Sequence, residues 1–356
     1  MTSSALTPPV TDPTSIFEHF RGSYGTELLT AAVAHLGLFA RLAGAPQSPA
    51  QLAAELNLAE RPATVLFTAL RAMQLLSVDE AGRLALTPLA AEHLLPGGPF
   101  FVGDYLGLAA DAPGVLAMLE RLRLNKPYGA DLPASDDNHT SAGTAFIYRE
   151  GTPSALEAAD SARRLTLALA GRAKNVAPAL AQVVTAADCH TLLDLGGGTG
   201  IYAIALLQKN PQLRAVVYDR ADVLTVAAEL VAEYGVADRV ELIAGDMFVD
   251  PLPRDVDLVL LSNVLHDWDL PECRQLIRRG AAALRAGGLL LIHDVFLNDA
   301  LDGPLPIALY SAALFTLTEG RAYSAAEYRS LLVEAGLTPG PLAPTGIHCG
   351  LLEGRK

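Results

Sequence analysis

Two histidine–aspartate pairs in the second half of the chain have the residue types that acid–base chemistry needs. His266 and Asp267 come shortly after one apolar run, and His293 and Asp294 close a second apolar run. An imidazole changes its protonation near neutral pH, and a carboxylate beside it can fix its tautomer and stabilise its charged form. A single histidine is more often structural than catalytic. Two such pairs at the ends of neighbouring strands predict a site that takes a proton from a substrate.

A glycine-rich turn precedes these pairs and indicates a nucleotide site. An apolar run ending in Asp194 leads into glycines at alternate positions, Gly196, Gly198 and Gly200, and residues 201–208 predict a helix. A strand, a tight turn and a helix N-terminus let a nucleotide lie against bare backbone, and glycine supplies the positive φ of the turn. The spacing does not fit the dinucleotide fingerprint G-x-G-x-x-G. The Asp-x-Gly-x-Gly-x-Gly pattern instead resembles motif I of class I S-adenosylmethionine-dependent methyltransferases.

Acidic residues end the next two predicted strands and extend the nucleotide prediction. Asp219 lies about twenty residues past the glycines, where a carboxylate suits a ribose diol. Asp246 follows the third predicted strand and could accept a hydrogen bond from an adenine amino group, with Met247 and Phe248 flanking the ring. Either aspartate alone could be a helix cap. Because both lie at strand ends in register with the glycine turn, we predict that they bind the cofactor together with Asp194.

These side chains need parallel strands to position them, and the chain predicts such a sheet. From residue 190 onward, β-rich runs alternate with helical patterns, which is typical of an α/β, Rossmann-like, doubly wound sheet. Ligands of such sheets bind beyond the carboxyl ends of the strands, where the glycine turn, the acids and both His-Asp pairs fall. The predicted strands are 191–196, 214–219, 239–244, 256–263 and 288–295, with helices near 200–209, 222–235 and 271–286. A further helix is predicted over 324–335 and two short strands within 338–354.

The N-terminal part, residues 1–110, predicts a mostly helical domain. The predicted elements are a helix over 16–43, a helix over 49–56 with Ser48 as its N-cap, a helix over 62–75 and a hairpin over 75–86, which together predict a winged helix. Such a domain could bind DNA, so a DNA-binding regulator is a remote alternative. Residues 48–90 hold three arginines and no lysine against four acidic residues, whereas DNA-binding faces are basic. Dimerisation or structural packing is the favoured role.

Residues 111–356 are predicted to form the catalytic domain, in which a helical segment precedes the sheet. An amphipathic helix is expected over 115–124 and a polar loop over 125–140, and the Ala/Leu-rich segment 153–184 could roof a substrate site. Basic residues in this segment could face an anionic substrate, although a solvated helix face is the commoner explanation. These residues are Arg163, Arg164, Arg172 and Lys174.

Three segments together resemble the plant-type small-molecule O-methyltransferases (caffeic acid and hydroxyindole types) and their bacterial natural-product members. They are Gly245-Asp-Met-Phe, Asn263-Val-Leu-His-Asp-Trp-Asp and Ala335-Gly-Leu. The resemblance implies a homodimer, S-adenosyl-L-methionine as cofactor and His266 as the general base for a substrate hydroxyl. Asp294 falls where the family usually has the glutamate that orients this histidine. Ser262 and Trp268 fall beside the cofactor, although many plant members have a lysine at the position of Ser262.

Carbon methylation is the main alternative. Some relatives methylate carbon next to a keto group, as in a 2-oxo acid, on a bound iron ion, and His266 and Asp267 could be two of its ligands. The third histidine would come from 310–318, which contains none, so His293 would have to serve. Two other departures from the family pattern bear on the identity of the acceptor. Ala322 stands where the family usually has a second glutamate, and 153–160 lacks the Phe, Asn and Met residues common around aromatic substrates.

Composition limits the remaining possibilities. A chain of 356 residues is long enough for two domains, and its net charge of −13 disfavours nucleic acid and anionic membranes as partners. Mean hydropathy is +0.30, yet no apolar run reaches the roughly eighteen residues of a membrane span. The cysteines, Cys189, Cys273 and Cys349, form no C-x-x-C pair, and the N-terminus lacks the pattern of a signal peptide. A cytoplasmic enzyme with a small-molecule substrate is therefore expected.

Overall fold

The computed structural model describes residues 3–127 and 159–356 of the chain. The predicted loop 125–140 and roof segment 153–160 lie almost entirely outside these residues. Contacts divide the described residues into two compact units. The first unit comprises 3–15, 159–296 and 323–356, and the second comprises 16–127 and 297–322. The predicted domain division at residue 110 stays a prediction.

Helices occur in both units. In chain order they are α1 Thr14–Arg21, α2 Ser23–Thr30, α3 Leu38–Leu42, α4 Pro49–Leu56, α5 Glu60–Ala72, α6 Pro88–His93, α7 Gly103–Leu106, α8 Pro113–Leu124, α9 Ala159–Val183, α10 Ile201–Lys209, α11 Ala221–Glu233, α12 Leu270–Ala283, α13 Leu305–Leu317 and α14 Ala325–Glu334. The helices predicted after the glycine turn and at 222–235, 271–286 and 324–335 are confirmed within a few residues of their predicted ends.

The strands from β3 onward confirm the predicted sheet of the first unit. In chain order the strands of both units are β1 Leu76–Val78, β2 Leu84–Leu86, β3 Thr191–Leu195, β4 Arg214–Asp219, β5 Val240–Ala244, β6 Val256–Ser262, β7 Leu284–Leu297, β8 Tyr323–Ser324, β9 Thr338–Gly346 and β10 Cys349–Arg355. The sheet of the first unit has the order β5-β4-β3-β6-β7-β10-β9, and β8 pairs with β7. The pairs from β5 to β7 are parallel, and β10 is antiparallel to both β7 and β9.

The sheet is buried on both faces, which is why its strands are continuously apolar. All seven residues of β6 are buried. On one face, Leu290 and Ile292 of β7 join a hydrophobic cluster with residues of α12 and α14. On the other face, Tyr202 of α10 packs against His293 with ring centroids 5.1 Å apart. Residues at the carboxyl ends of these strands are thereby held on a rigid support.

The second unit contains the predicted pair of helices and the hairpin. Ser48 caps α4 in a capping box with Gln51, as predicted for this N-terminus. β1 and β2 pair antiparallel, which confirms the hairpin. Arg61 of α5 donates to the carbonyls of Thr318 and Gly320 just beyond α13, at 3.1 and 3.2 Å. These bonds satisfy carbonyls in the segment that follows the helix, and they help to fix 297–322 to this unit.

The prediction of one continuous helix over 16–43 is wrong. The chain forms α1 and α2, interrupted at Gly22, then a π-helical turn over Ala31–His35, and α3 after Gly37. Gly37 has a left-handed backbone with φ of 57°, which ends the helical path. The helix predicted over 62–75 is α5, which ends earlier because Gln74 adopts a positive φ of 60°. No element was predicted at α13, because this helix is apolar on every side and shows no period.

Within residues 3–127 and 159–356, no helix is both long enough and apolar enough to cross a membrane.

Candidate active site

The glycine turn between β3 and α10 has the backbone that its sequence predicts. Gly196, Gly198 and Gly200 have φ of 72°, 58° and 70°. A Cβ atom on Gly196 would lie 2.9 Å from Cγ2 of Val264, so the turn is too tight there for a side chain. A Cβ atom on Gly198 would meet none of the described residues within 4 Å. The turn therefore leaves space on one side, which fits a ligand lying against its backbone.

Two aspartates lie beside this turn, Asp194 buried and Asp219 half-buried. Asp219 accepts hydrogen bonds from the N–H groups of Gly198 and Arg220, both at 2.7 Å. Burial raises the pKa of Asp219, while these two bonds oppose the increase. Asp194 lies beneath the turn, with its Cγ 2.8 Å from where a Cβ on Gly197 would be. Burial and then the charge of Asp219 raise the pKa of Asp194 to about 7.

The segment after β5 places its three predicted residues in different surroundings. Asp246 is exposed, and its Oδ1 accepts from the N–H of Phe248 at 2.8 Å. The sulfur of Met247 would lie 3.7 Å from a Cβ on Gly196, so Met247 borders the turn. Phe248 is buried edge-to-face against Trp268 at 4.7 Å. The cofactor roles assigned to these residues stay predictions.

His266 and Asp294 meet in the buried end of the sheet. Nδ1 of His266 lies 2.5 Å from Oδ1 of Asp294, and the residues are 4% and 0% exposed. The same Oδ1 accepts from the N–H of Val295, and the Tyr328 hydroxyl lies 3.4 Å from Oδ2. Burial lowers the pKa of His266, but the charges of Asp294 and Asp267 outweigh it, so the pKa is raised above 6.5.

Asp267 is the second carboxylate near this imidazole. Its Oδ1 lies 3.6 Å from Nε2 of His266, on the side opposite to Asp294. Burial raises the pKa of Asp267 to about 6, although the charge of His266 opposes the increase. Both residues belong to a short 3-10 turn, Leu265–Asp267, directly after β6.

His293 lies on the other face of the sheet. Successive side chains of a strand point to opposite faces, so His293 and its neighbour Asp294 cannot share a site. Nδ1 of His293 lies 2.7 Å from the Ser262 hydroxyl, and Nε2 lies 2.9 Å from the Thr345 hydroxyl. Burial lowers the pKa of His293 to about 3. Sequence reasoning placed Ser262 at the cofactor, and the structure places its hydroxyl on His293.

The fold does not bring together the three residues that would bind iron in the C-methylation alternative, His266, Asp267 and His293. His266 and Asp267 are neighbours, but His293 faces away from them. Among the residues that the structure describes, no group of three or more His, Cys, Asp or Glu side chains could hold a metal ion. These residues therefore do not fit a metal site.

Three of the four basic residues of α9 make contacts that the sequence could not assign. Arg172 donates to Oδ1 of Asn263 at 2.7 Å and contacts Sγ of Cys349 at 2.9 Å. Arg163 forms a two-pronged, exposed ion pair with Glu229. Lys174 lies 5.8 Å from the ring centre of Tyr234, and Arg164 is exposed.

Sequence reasoning missed Tyr328 and Asn263 as parts of this region. Tyr328 lies within an ordinary helix, and nothing local marks its approach to Asp294. The motif that contains Asn263 did not predict its backbone, although asparagine adopts the left-handed conformation more readily than most residues. Its φ is 54°.

Comparisons with known proteins agree with this architecture. Residues 154–338 match a family described as an O-methyltransferase domain. The chain is 34% identical to 3-hydroxy-5-methyl-1-naphthoate 3-O-methyltransferase of Streptomyces sahachiroi, over 94% of this chain and 92% of the relative. It is 30% identical to L-tyrosine C(3)-methyltransferase of Streptomyces lavendulae, over 89% and 85%. The chain also resembles the crystal structure of an O-methyltransferase family 2 protein from Planctomyces limnophilus in complex with apigenin. The two sequences are 47% identical, the TM-score is 0.88, and the match covers 100% of this chain and 99% of that one.

Proposed function

The chain belongs to the O-methyltransferase family, and we propose that it methylates an aromatic hydroxyl group with His266 as the general base. It is an S-adenosylmethionine-dependent methyltransferase of the type that acts on small natural products. The observation that carries the role of His266 is the buried contact of its Nδ1 with Asp294, 2.5 Å long.

The residues around the glycine turn suit this cofactor. S-adenosylmethionine supplies a methyl group on a positively charged sulfur. Asp219, which orders the turn by accepting from the N–H of Gly198, would also accept hydrogen bonds from the ribose hydroxyls. Asp246 is exposed at the next strand end, where it could accept from the adenine amino group, and Met247 borders the turn. We assign the open side of the glycine turn to the amino-acid part of the cofactor.

His266 would take the proton of the acceptor hydroxyl at Nε2. Because Nδ1 donates to Asp294, the lone pair of the neutral ring is on Nε2. When the proton moves from the hydroxyl to Nε2, the ring becomes an imidazolium between Asp294 and Asp267, and both carboxylates stabilise it. The oxygen that remains is a strong nucleophile. Holding it in line with the methyl group would supply much of the rate.

Replacing the imidazole tests this role. His266→Ala should lower kcat by about 10² to 10⁴ while the affinity for S-adenosylhomocysteine stays near that of the wild type. His190→Ala, which removes an exposed imidazole, is the control and should behave as the wild type. If His266→Ala methylates a hydroxyl acceptor at the wild-type rate and with an unchanged pH profile, then proximity alone drives the methyl transfer.

An aromatic hydroxyl is the proposed acceptor because of the relatives. One acts on a hydroxynaphthoate by name, and a protein 47% identical binds apigenin. Carbon is the second candidate, because another relative is named for C-methylation of tyrosine. Apigenin, a hydroxynaphthoate and tyrosine, each incubated with the cofactor, separate these candidates. The chemical shift of the transferred methyl group in the product distinguishes oxygen from carbon.

We also propose a homodimer formed through the second unit. Large apolar side chains of this unit are exposed, among them Ile16 at 68%, Phe20 at 79%, Tyr105 at 75% and Leu108 at 82%. Monomeric proteins rarely expose large contiguous apolar patches, and burying these side chains against a second copy would be favourable. Light scattering should therefore give twice the chain mass. A monomer at micromolar concentration would contradict the proposal.

A further inference from the structure

The end of β6 is held by a polar network on the face opposite to His266. Ser262, the last residue of this strand, contacts His293 at 2.7 Å, and His293 contacts Thr345 of β9 at 2.9 Å. The next residue, Asn263, donates its backbone N–H to the carbonyl of His293 at 2.8 Å. The strand end is thus bonded to β7 and, through His293, to β9. The direction in which the chain continues toward His266 depends on the next backbone angles.

Asn263 determines that direction. Its φ of 54° is left-handed, a conformation that asparagine adopts more readily than most residues. Its amide donates to the Tyr202 hydroxyl and to Oγ of Ser262, both at 3.2 Å. The residues that follow are Val264, which packs against the glycine turn, and the 3-10 turn that carries His266. A change at Asn263 would therefore displace the base relative to the cofactor turn.

Arg172 fixes the amide of Asn263 from outside the sheet. Its Nη1 donates to Oδ1 of Asn263 at 2.7 Å, and its Nη2 contacts Sγ of Cys349 at 2.9 Å. The half-buried guanidinium thus connects α9 with the end of β6 and the start of β10. A planar guanidinium can hold two partners in fixed directions, which a lysine ammonium cannot do.

We propose that Arg172 is a positioning residue, which through Asn263 fixes the left-handed turn that aims His266 at the acceptor. This inference rests on the proposed function, because it assigns to Arg172 an effect on the proposed base. It also explains why a cation of α9 points into the protein, while Arg163 of the same helix pairs with Glu229 at the surface.

The charge of Arg172 adds an effect that can be measured. The groups that act on His266 are Asp267 of its own turn, Asp294 of β7 and Arg172 of α9, and Tyr328 of α14 reaches it through Asp294. The two carboxylates raise the pKa of His266, and Arg172 opposes them. Removing the cation should therefore raise this pKa further, and a cation of another shape should preserve it.

Three variants separate geometry, charge and folding. Arg172→Met removes both the bonds and the charge, Arg172→Lys keeps the charge alone, and Arg163→Met is the control from the same helix. We expect kcat with apigenin or a hydroxynaphthoate to fall about 10- to 100-fold in Arg172→Met and less in Arg172→Lys, with little change in the Kd of S-adenosylhomocysteine. The NMR signal of His266 is assigned by its absence in His266→Ala. Its titration should move to higher pH in Arg172→Met and stay in place in Arg172→Lys.

A second background tests the route through Asn263. Asn263→Gly keeps a residue that tolerates positive φ but removes the amide. At a pH on the plateau of the kcat profile, where the pKa of His266 no longer matters, adding Arg172→Met to this variant should cost kcat no further. Wild-type kcat and titration in Arg172→Met would overturn the inference. An equal loss of kcat and of S-adenosylhomocysteine binding would also overturn it, because it would show a purely structural role. The proposed function fails separately, if His266→Ala remains active while the titration still responds to Arg172.

Discussion

Replacing Asp294 by asparagine is the sharpest test of the buried His-Asp pair. The substitution keeps the shape of the side chain at a position with 0% exposure but removes the charge that faces Nδ1 of His266. A hydrogen bond to a charged group contributes about 1.5–3 kcal/mol, and tenfold in rate corresponds to about 1.36 kcal/mol. The loss in kcat should therefore be about 10- to 150-fold, smaller than for His266→Ala.

The pH dependence of this loss is a stricter test than its size. The pKa of His266 is raised above 6.5 in the wild type, so the base is free to act only as the pH rises through that raised value. Without the charge of Asp294 the pKa falls, and the rising limb of the kcat profile should move to lower pH. The variant should therefore be closer to the wild type at pH 6 than on the plateau at high pH.

The assay is a pH series of kcat with a hydroxyl acceptor, together with calorimetry for S-adenosylhomocysteine. Asp257→Asn is the matched control, since Asp257 is also buried but lies at the opposite end of β6. It should leave the position of the limb unchanged. If Asp294→Asn loses activity equally at every pH, or if its limb moves to higher pH, then Asp294 does not act through the charge of His266 and the reasoning is refuted.

Three further predictions concern the cofactor, the fold and the assembly. Asp219→Ala should weaken S-adenosylhomocysteine binding by about 10- to 150-fold in calorimetry, because it removes a charged acceptor and frees the glycine turn; an unchanged Kd would contradict the ribose role. Asp257 accepts from the N–H groups of residues 190 and 191 and from Arg285, and these bonds hold its pKa below 3.8 although burial opposes them. Its stabilisation is present above the unfolded pKa and is lost as pH falls below about 4, so urea unfolding of Asp257→Asn should show a deficit of about 1.5–3 kcal/mol at pH 7 that shrinks in acid. Phe20→Glu should convert the proposed dimer to a monomer in light scattering while the circular dichroism spectrum is retained.

Much of the fold could be predicted because its signals are local. The central strands are mostly apolar runs, which a parallel sheet buried on both faces requires. Turn or capping residues mark where three of them stop, because β3 leads into Gly196, β4 ends at Asp219 and β6 ends at Ser262. The positions of Asp219, His266 and Asp294 followed from one rule, that the carboxyl ends of parallel strands meet at one edge. That rule brings residues to an edge but does not say which face of the sheet they occupy. His293 and Asp294 were therefore grouped in sequence, although the alternation of the strand separates them.

The contacts through which Arg172 acts near His266 could not be predicted, because they join residues far apart in sequence. Arg172 reaches Asn263 across 91 positions and Cys349 across 177. On a helix with several exposed cations, a local pattern cannot show which arginine turns inward. The direction depends on the packing of α9 against the sheet, and the sequence specifies that packing only through the whole core. Burial lowers the proton affinity of His266, the charges of Asp294 and Asp267 raise it, and that of Arg172 lowers it; these three residues come from three separate elements. A substitution that moves α9 should therefore change the pH profile even when it touches neither the base nor the cofactor residues.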